Sequence, residues 1–212
     1  MNDFIHHFVP AAGGKVATAP TLLLLHGTGG DENDLLDLGK SLAPAANLLS
    51  PRGKISENGM PRFFRRLAEG VFDEADLIQR THELADFVVA AADRYGFSPN
   101  AVTAVGYSNG ANIAASILLL RPGVLHRAVL LRAMVPLTPE KSPDLTGSQI
   151  FLASGLSDPI LPIRNARKLA TMFREAGADL TFQEIQAGHQ FTSGEIDSAR
   201  VWLASPAAAR LQ

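Results

Sequence analysis

The sequence predicts an α/β fold: one domain over residues 1–212, with a mainly parallel central sheet and helices on both faces. Three observations carry this. Strand-length apolar runs alternate with longer amphipathic runs from residue 21 onward, the signature of repeated strand–helix units. The strand-like runs are mainly apolar, as strands covered on both faces are. The length of 212 residues, with 46% hydrophobic and 19% charged residues, suits one domain with a substantial core and argues against disorder.

Thr21–Leu25 is a buried strand closed by the loop His26-Gly27-Thr28-Gly29-Gly30. Residues 31–43 read as a helix whose acids Asp31, Glu32 and Asp34 crowd the first turn, where the helix dipole favours them, and Pro44 ends it. Residues 47–50 are a weak strand. Residues 73–95 are a strong helix, with Leu77, Leu84, Val88, Ala91 and Tyr95 on one stripe and Gly96 just past its end. A strand over 101–105 leads into a helix over Asn109–Leu120, stopped by Arg121-Pro122-Gly123. Residues 127–134 and 149–153 are strands, and Ile163, Ala166, Ala170 and Phe173 mark a helix closed by Gly177. Residues 180–185 are the last strand, and Thr192 with Glu195 makes a capping box that opens a final helix. Residues 51–72 show no period and predict an irregular loop, of a length more often functional than idle. About fifteen residues separate the strand ending near Met134 from the next, too few for an inserted cap domain.

Composition excludes several function classes. Nineteen basic against 21 acidic residues leave a net charge of −2, so no global field would recruit nucleic acid or an anionic membrane. The absence of cysteine removes disulfides, thiolate zinc sites and thiol nucleophiles, leaving covalent chemistry to Ser, Thr, Asp or Lys. Met1-Asn2-Asp3-Phe4 shows no basic segment leading into an apolar run, and apolar runs fall short of the roughly 18 residues of a membrane span. A cytoplasmic protein is expected.

The sharpest motif is Gly106-Tyr107-Ser108-Asn109-Gly110. A serine hydroxyl is a poor nucleophile until a base takes its proton and its oxygen is held clear of its neighbours. A tight strand-to-helix turn does the second job, and the flanking glycines prevent collision with adjacent elements. The context fits, with a strand before the pentapeptide and a buried helix after it. The loop at residues 26–30 can present amide hydrogens to a developing oxyanion: the Thr28 amide, with the Asn109 amide as second donor. That loop lacks the Gly-x-Gly-x-x-Gly pattern and the chain lacks Gly-Lys-Ser/Thr, which weakens a nucleotide reading.

Of six histidines, only His189 lies in a loop between the last strand and the last helix. His26 belongs to the glycine loop and braces it. In an open parallel sheet the ligand crevice lies beyond the carboxyl ends of the strands, where Ser108 and His189 would both emerge. Asp158 leaves the same edge and is the acid expected to orient the imidazole, with Asp144 as the competitor lying before that strand. The order Ser108, Asp158, His189 is the one this architecture produces.

On His26-Gly27-Thr28-Gly29-Gly30-Asp31-Glu32, Gly106-Tyr107-Ser108-Asn109-Gly110, Ser157-Asp158-Pro159 and Gly188-His189, the chain resembles the phospholipase/carboxylesterase family of α/β-hydrolases. That group includes dienelactone-hydrolase-like and acyl-protein-thioesterase-like enzymes. Ser50-Pro51-Arg52-Gly53 and the stretch Glu57-Asn58-Gly59-Met60-Pro61-Arg62-Phe63-Phe64 resemble a bacterial subgroup of small cytoplasmic hydrolases, some linked to hydroquinone stress. The resemblance implies esterase activity on small acyl esters, a Ser-Asp-His triad and no cofactor. Acyl-protein thioesterases usually carry a tryptophan-containing stretch where Phe63-Phe64 stands, which argues against a protein thioester.

Residues 51–72 are where substrate choice is expected. Met60, Phe63 and Phe64 are the candidate substrate-binding residues, and Arg52, Lys54, Arg62, Arg65 and Arg66 could hold an anionic acyl group. The plainer alternative packs the phenylalanines on the sheet edge and solvates the arginines. The expected partner is a small-molecule ester, without nucleic acid, membrane or metal, and a homodimer is left open. The alternative functions are a thioesterase with the same triad and a non-catalytic ligand-binding protein on the hydrolase scaffold.

Overall fold

A computed structural model describes residues 4–205 of the chain. Its elements are β1 (His6–Val9), β2 (Thr21–Leu25), α1 (Leu36–Leu42), β3 (Asn47–Pro51), β4 (Ile55–Glu57), β5 (Met60–Arg62), β6 (Arg66–Ala68) and β7 (Val71–Phe72). They continue as α2 (Glu74–Tyr95), β8 (Val102–Tyr107), α3 (Asn109–Leu120), β9 (Arg127–Leu131), β10 (Gln149–Gly155), α4 (Ile163–Glu175), β11 (Asp179–Ile185) and α5 (Ser193–Ala204). Seven strands form one sheet in the order β1-β3-β2-β8-β9-β10-β11. Only β1 runs antiparallel, against β3.

Apolar strands give two cores by simple alternation, because successive side chains point to opposite faces. Leu23, Leu25, Leu49, Ala104, Leu130 and Leu152 face the larger core, under α2, α3 and α4. Leu22, Leu24, Leu48, Val105, Leu131 and Phe151 face the other, under α1 and α5. Both faces are covered, which is why these strands show no polar alternation. Each buried leucine contributes about 1.5–3 kcal/mol against exposure. The Asp73 side chain caps α2 by accepting from the Asp76 amide, and Gly96 closes it in the left-handed conformation at φ 75°. Among the described residues no helix is long and apolar enough to cross a membrane.

The expected α/β architecture is the observed one, and four local expectations are corrected. β1 adds an edge strand before residue 21, where four residues gave no readable period. The first helix starts at Leu36 rather than at residue 31, because the Asp31 carboxylate accepts from the Asn33 amide at 2.8 Å and holds a turn there. The strand beginning at Arg127 ends at Leu131, not near 134, because Arg132 turns the backbone to φ 61°. Residues 51–72 are two hairpins, β4–β5 and β6–β7, rather than an irregular loop. Asn58 and Gly59, at φ 52° and 80°, make the turn of the first, and an Asn-Gly pair suits that conformation.

Parallel register brings the working ends together. Leu25 of β2 pairs with Gly106 of β8, Tyr107 of β8 with Leu131 of β9, and Leu131 with Ala153 of β10. The loops that follow β2, β8, β9, β10 and β11 therefore leave one edge of the sheet. Residues 132–148, between β9 and β10, contain no helix or strand.

Candidate active site

Ser108 sits between β8 and α3 with φ 51° and ψ −111°, a conformation rare for a residue with a Cβ. Its neighbours make the turn sterically exclusive. A Cβ on Gly110 would stand 2.0 Å from the Leu25 carbonyl oxygen, and one on Gly106 would stand 2.7 Å from the backbone of Ala111. The glycines that flank the serine are thus required by close backbone approach. The turn is held by the Ser108 amide donating to the Leu131 carbonyl at 2.9 Å and the Asn112 amide donating to the Ser108 carbonyl at 2.9 Å.

His189 and Asp158 meet Ser108 at this edge. The His189 Nε2 lies 3.1 Å from the Ser108 Oγ, and its Nδ1 lies 2.8 Å from the Asp158 Oδ2. The other oxygen of Asp158, Oδ1, accepts from the Ile160 and Leu161 amides at 2.8 and 3.0 Å, so the buried carboxylate is satisfied on both sides. Because Nδ1 faces a carboxylate, the imidazole carries its proton there and leaves Nε2 as an acceptor. The loops after β10 and β11 are stitched by the Ser157 amide donating to the Ala187 carbonyl at 3.1 Å. They approach so closely that a Cβ on Gly155 would stand 2.3 Å from the Gly188 oxygen. The competing acid, Asp144, holds a turn instead, its Oδ1 accepting from the Thr146 amide at 2.9 Å. Of the other histidines, His6 and His7 lie on edge strand β1 and His82 in α2.

Thr28 lies in the loop after β2, whose Leu25 and His26 carbonyls stand against Gly110 of the Ser108 turn. Asn109 opens α3, where the first amides have no carbonyl within the helix to bind. The segment Pro61-Arg62-Phe63 ties both positions in place. The Gly29 amide donates to the Pro61 carbonyl at 3.0 Å, Arg62 donates to the Thr28 hydroxyl at 2.5 Å, and the Phe63 amide donates to the Asn109 side chain at 2.8 Å.

His26 braces the same loop. Its Nε2 accepts from the Gly53 amide at 2.9 Å, so its proton sits on Nδ1 and is donated to the Gly27 carbonyl at 2.7 Å. Burial lowers the His26 pKa below its ordinary value of 6.5, overriding the Gly27 carbonyl and the acids Asp34, Asp31 and Glu32, which favour the charged form. The unfolded chain therefore binds a proton on this histidine before the folded chain does. The stability it contributes is full above about pH 6.5 and is lost as pH falls from there through the depressed folded value. Thermal unfolding between about pH 7.5 and 5 should show the midpoint falling in the wild type and falling less in His26→Asn, which has no proton to take up.

The substrate-binding expectation for residues 60–64 divides. Phe63 and Phe64 are 1% and 0% exposed, so neither ring is available to a ligand. Phe63 packs on the His26 ring at 4.6 Å and Phe64 stands edge-on to Phe72 at 4.9 Å. The physical reason is that both rings belong to the larger core, with Leu23, Leu25, Leu77 and Leu84, as the plainer alternative of packing on the sheet expects. Met60 is 39% exposed, and its Sδ lies 3.7 Å from where a Cβ on Gly29 would stand. It remains on the surface beside the glycine loop. The five bases of the segment are each ion-paired within the chain, Arg52 with Glu32, Lys54 with Glu83, Arg62 and Arg66 with Glu57, and Arg65 with Asp73.

The sequence reading missed Arg132, whose side chain is fully buried beneath the His189 loop and ion-paired to Glu195. A charged residue inside the apolar run Val129-Leu130-Leu131-Arg132-Ala133-Met134 was the available signal, since buried charges need partners.

Residues 8–205 match the family model described as phospholipase/carboxylesterase. The chain is 49% identical over 181 residues to MhqD of Bacillus subtilis (strain 168), a protein named only as a hydrolase, covering 85% of this chain and 90% of that one. A carboxylesterase of Bacillus cereus superposes with a TM-score of 0.90 at 47% identity, covering 94% of this chain and 92% of the other. A carboxylesterase from Mesorhizobium loti gives 0.86 at 33% identity, covering 92% and 93%. With the α/β-hydrolase architecture and a serine at its strand-to-helix turn, this chain belongs to the phospholipase/carboxylesterase family of hydrolases.

Proposed function

We propose that the protein hydrolyses small carboxylic esters by two-step acyl transfer, with Ser108 as nucleophile, His189 as general base and acid, and Asp158 as the group that fixes the imidazole. The observation that carries this is the unbroken chain of contacts from Asp158 through His189 to Ser108, at 2.8 and 3.1 Å. The Ser108 proton passes to Nε2 as Oγ bonds to the ester carbonyl carbon. The resulting oxyanion is held by the Thr28 and Asn109 amides. Nε2 returns the proton to the departing alkoxide, and the alcohol leaves behind an acyl-serine. Water then gives a proton to Nε2 and attacks the acyl carbon, and the proton returns to Oγ as the carboxylic acid departs. The bonds from Arg62 to the Thr28 hydroxyl and from the Phe63 amide to the Asn109 side chain, with the Gly29 amide bonded to the Pro61 carbonyl beside Thr28, support the oxyanion assignment, because preorganised donors cost no reorganisation during reaction.

Ester rather than thioester chemistry is favoured by the carboxylesterase names of the similar structures. A panel of aryl and alkyl esters of graded acyl length, each with its matched thioester, tests the reading. Short acyl esters should give the higher kcat/KM, and a preference for the thioester at every chain length would contradict it. With no element inserted between β9 and β10, Met60 beside the glycine loop is the side chain expected to alter acyl preference.

A further inference from the structure

We infer that Arg132 is a positioning residue for His189, holding the imidazole loop in register with Ser108 from beneath. The inference rests on the catalytic reading of Ser108 and His189. The loop carrying His189 belongs to no helix or strand, yet three consecutive carbonyls along it are each held by a side chain. Arg132 Nε donates to the Gly188 carbonyl at 2.9 Å, and its Nη2 donates to the Gln190 carbonyl at 2.7 Å. Between them, the Tyr107 hydroxyl donates to the His189 carbonyl at 3.2 Å. Burial raises the Tyr107 pKa, against the pull of Arg132, so the phenol keeps the proton it donates. Both donors come from the nucleophile's side of the sheet: Tyr107 precedes Ser108, and Arg132 follows β9, the strand beside β8.

The base of the clamp is Glu195. Both its oxygens accept from the Arg132 guanidinium, and Oε2 also accepts from the Thr192 amide at 2.8 Å and hydroxyl at 3.0 Å. Burial pushes the Glu195 carboxyl up, but the bonds from Arg132 and Thr192 together hold it below the usual carboxylate range, so the carboxylate stays ionised. The capping box of α5 is thereby joined to the loop it follows. Arg132 reaches this position with a left-handed backbone, φ 61°, which a residue with a side chain rarely adopts without a compensating constraint.

General stability does not account for such a pair. A buried ion pair is often no more stabilising than apolar residues of the same volume, and its attested use is to fix one geometry. The planar guanidinium fork does that here, since it can address two carbonyls and a carboxylate at once, whereas an ammonium is a point charge without fixed directions.

Arg132→Lys keeps the charge beside Glu195 and loses the fork. It should fold with a thermal midpoint near wild type, lower kcat on a short acyl ester about 10²-fold, and change KM less than about twofold, since misplacement by an ångström costs about that much. The low-field proton resonance of the His189 Nδ1–H shared with Asp158 should broaden or vanish. If Arg132→Lys does not fold, the paired replacement Arg132→Met with Glu195→Met, which leaves no buried charge alone, serves in its place. A folded variant with wild-type kcat and an intact low-field resonance overturns the inference. If instead Ser108→Ala hydrolyses the ester as well as wild type, the catalytic reading fails and this inference falls with it. Loss of kcat in both Ser108→Ala and the Arg132 variant, with the resonance lost only in the latter, supports both.

Discussion

Ser108→Ala is expected to lower kcat/KM for an activated ester by about 10⁶-fold, equivalent to about 8 kcal/mol of transition-state stabilisation. No neighbouring group substitutes for the lost oxygen, because the Tyr107 hydroxyl donates to the His189 carbonyl, the Asn109 side chain accepts from the Phe63 amide, and Gly106 and Gly110 beyond them carry no side chain. The fold should hardly notice. The serine hydroxyl makes one side-chain hydrogen bond, to His189, worth about 0.5–1.5 kcal/mol, so the thermal midpoint should move by only a few degrees. Steady-state kinetics with thermal unfolding on the same preparation checks both halves. Residual activity within about tenfold of wild type would remove Ser108 from the mechanism.

Asp158→Asn should cost about 10⁴-fold in kcat, about 5 kcal/mol, while leaving KM nearly unchanged. The surroundings of Asp158 dictate this. Its Oδ1 accepts from two backbone amides, Ile160 and Leu161, so in the variant the amide oxygen must stay on that side. The amide nitrogen is then left facing His189 Nδ1, where the carboxylate stood at 2.8 Å. An NH₂ group there accepts nothing and favours the tautomer with its proton on Nε2. That tautomer cannot take the proton from Ser108. Asp158→Ala lacks the misdirecting donor and should fall no further than the asparagine variant. Saturation kinetics on both variants decides the point, and a loss under about tenfold in Asp158→Asn would assign the acid role elsewhere.

The legible parts of this chain were those in which local chemistry and global structure agree. The parallel sheet could be read because strands buried on both faces are apolar at every position, as Leu22 to Leu25 are. The Ser108 turn could be read because backbone crowding requires glycine two residues to either side, at Gly106 and Gly110. Asp158 and His189 followed from position alone, since both leave the carboxyl edge of the sheet. The hairpins of residues 55–72 were not legible, for their strands have only two or three residues and show no alternation. Asn58-Gly59 was a turn signal without strands long enough to support it. Phe63 and Phe64 were misjudged as ligand-binding because two adjacent aromatics have the same sequence whether they line a pocket or join the main core. Arg132 and Glu195 lie 63 residues apart, and no local pattern joins them. Their pairing exists only once β9 and α5 are packed.

The central claim is that the Ser108 oxygen becomes covalently bonded to the acyl group through the agency of His189. The most direct measurement is peptide mapping by mass spectrometry after exposure of the intact chain to a serine-directed fluorophosphonate. The account predicts one adduct per chain, located on Ser108, absent from Ser108→Ala and formed far more slowly in His189→Ala. An adduct on another residue, or none on a chain that still hydrolyses esters, would contradict it.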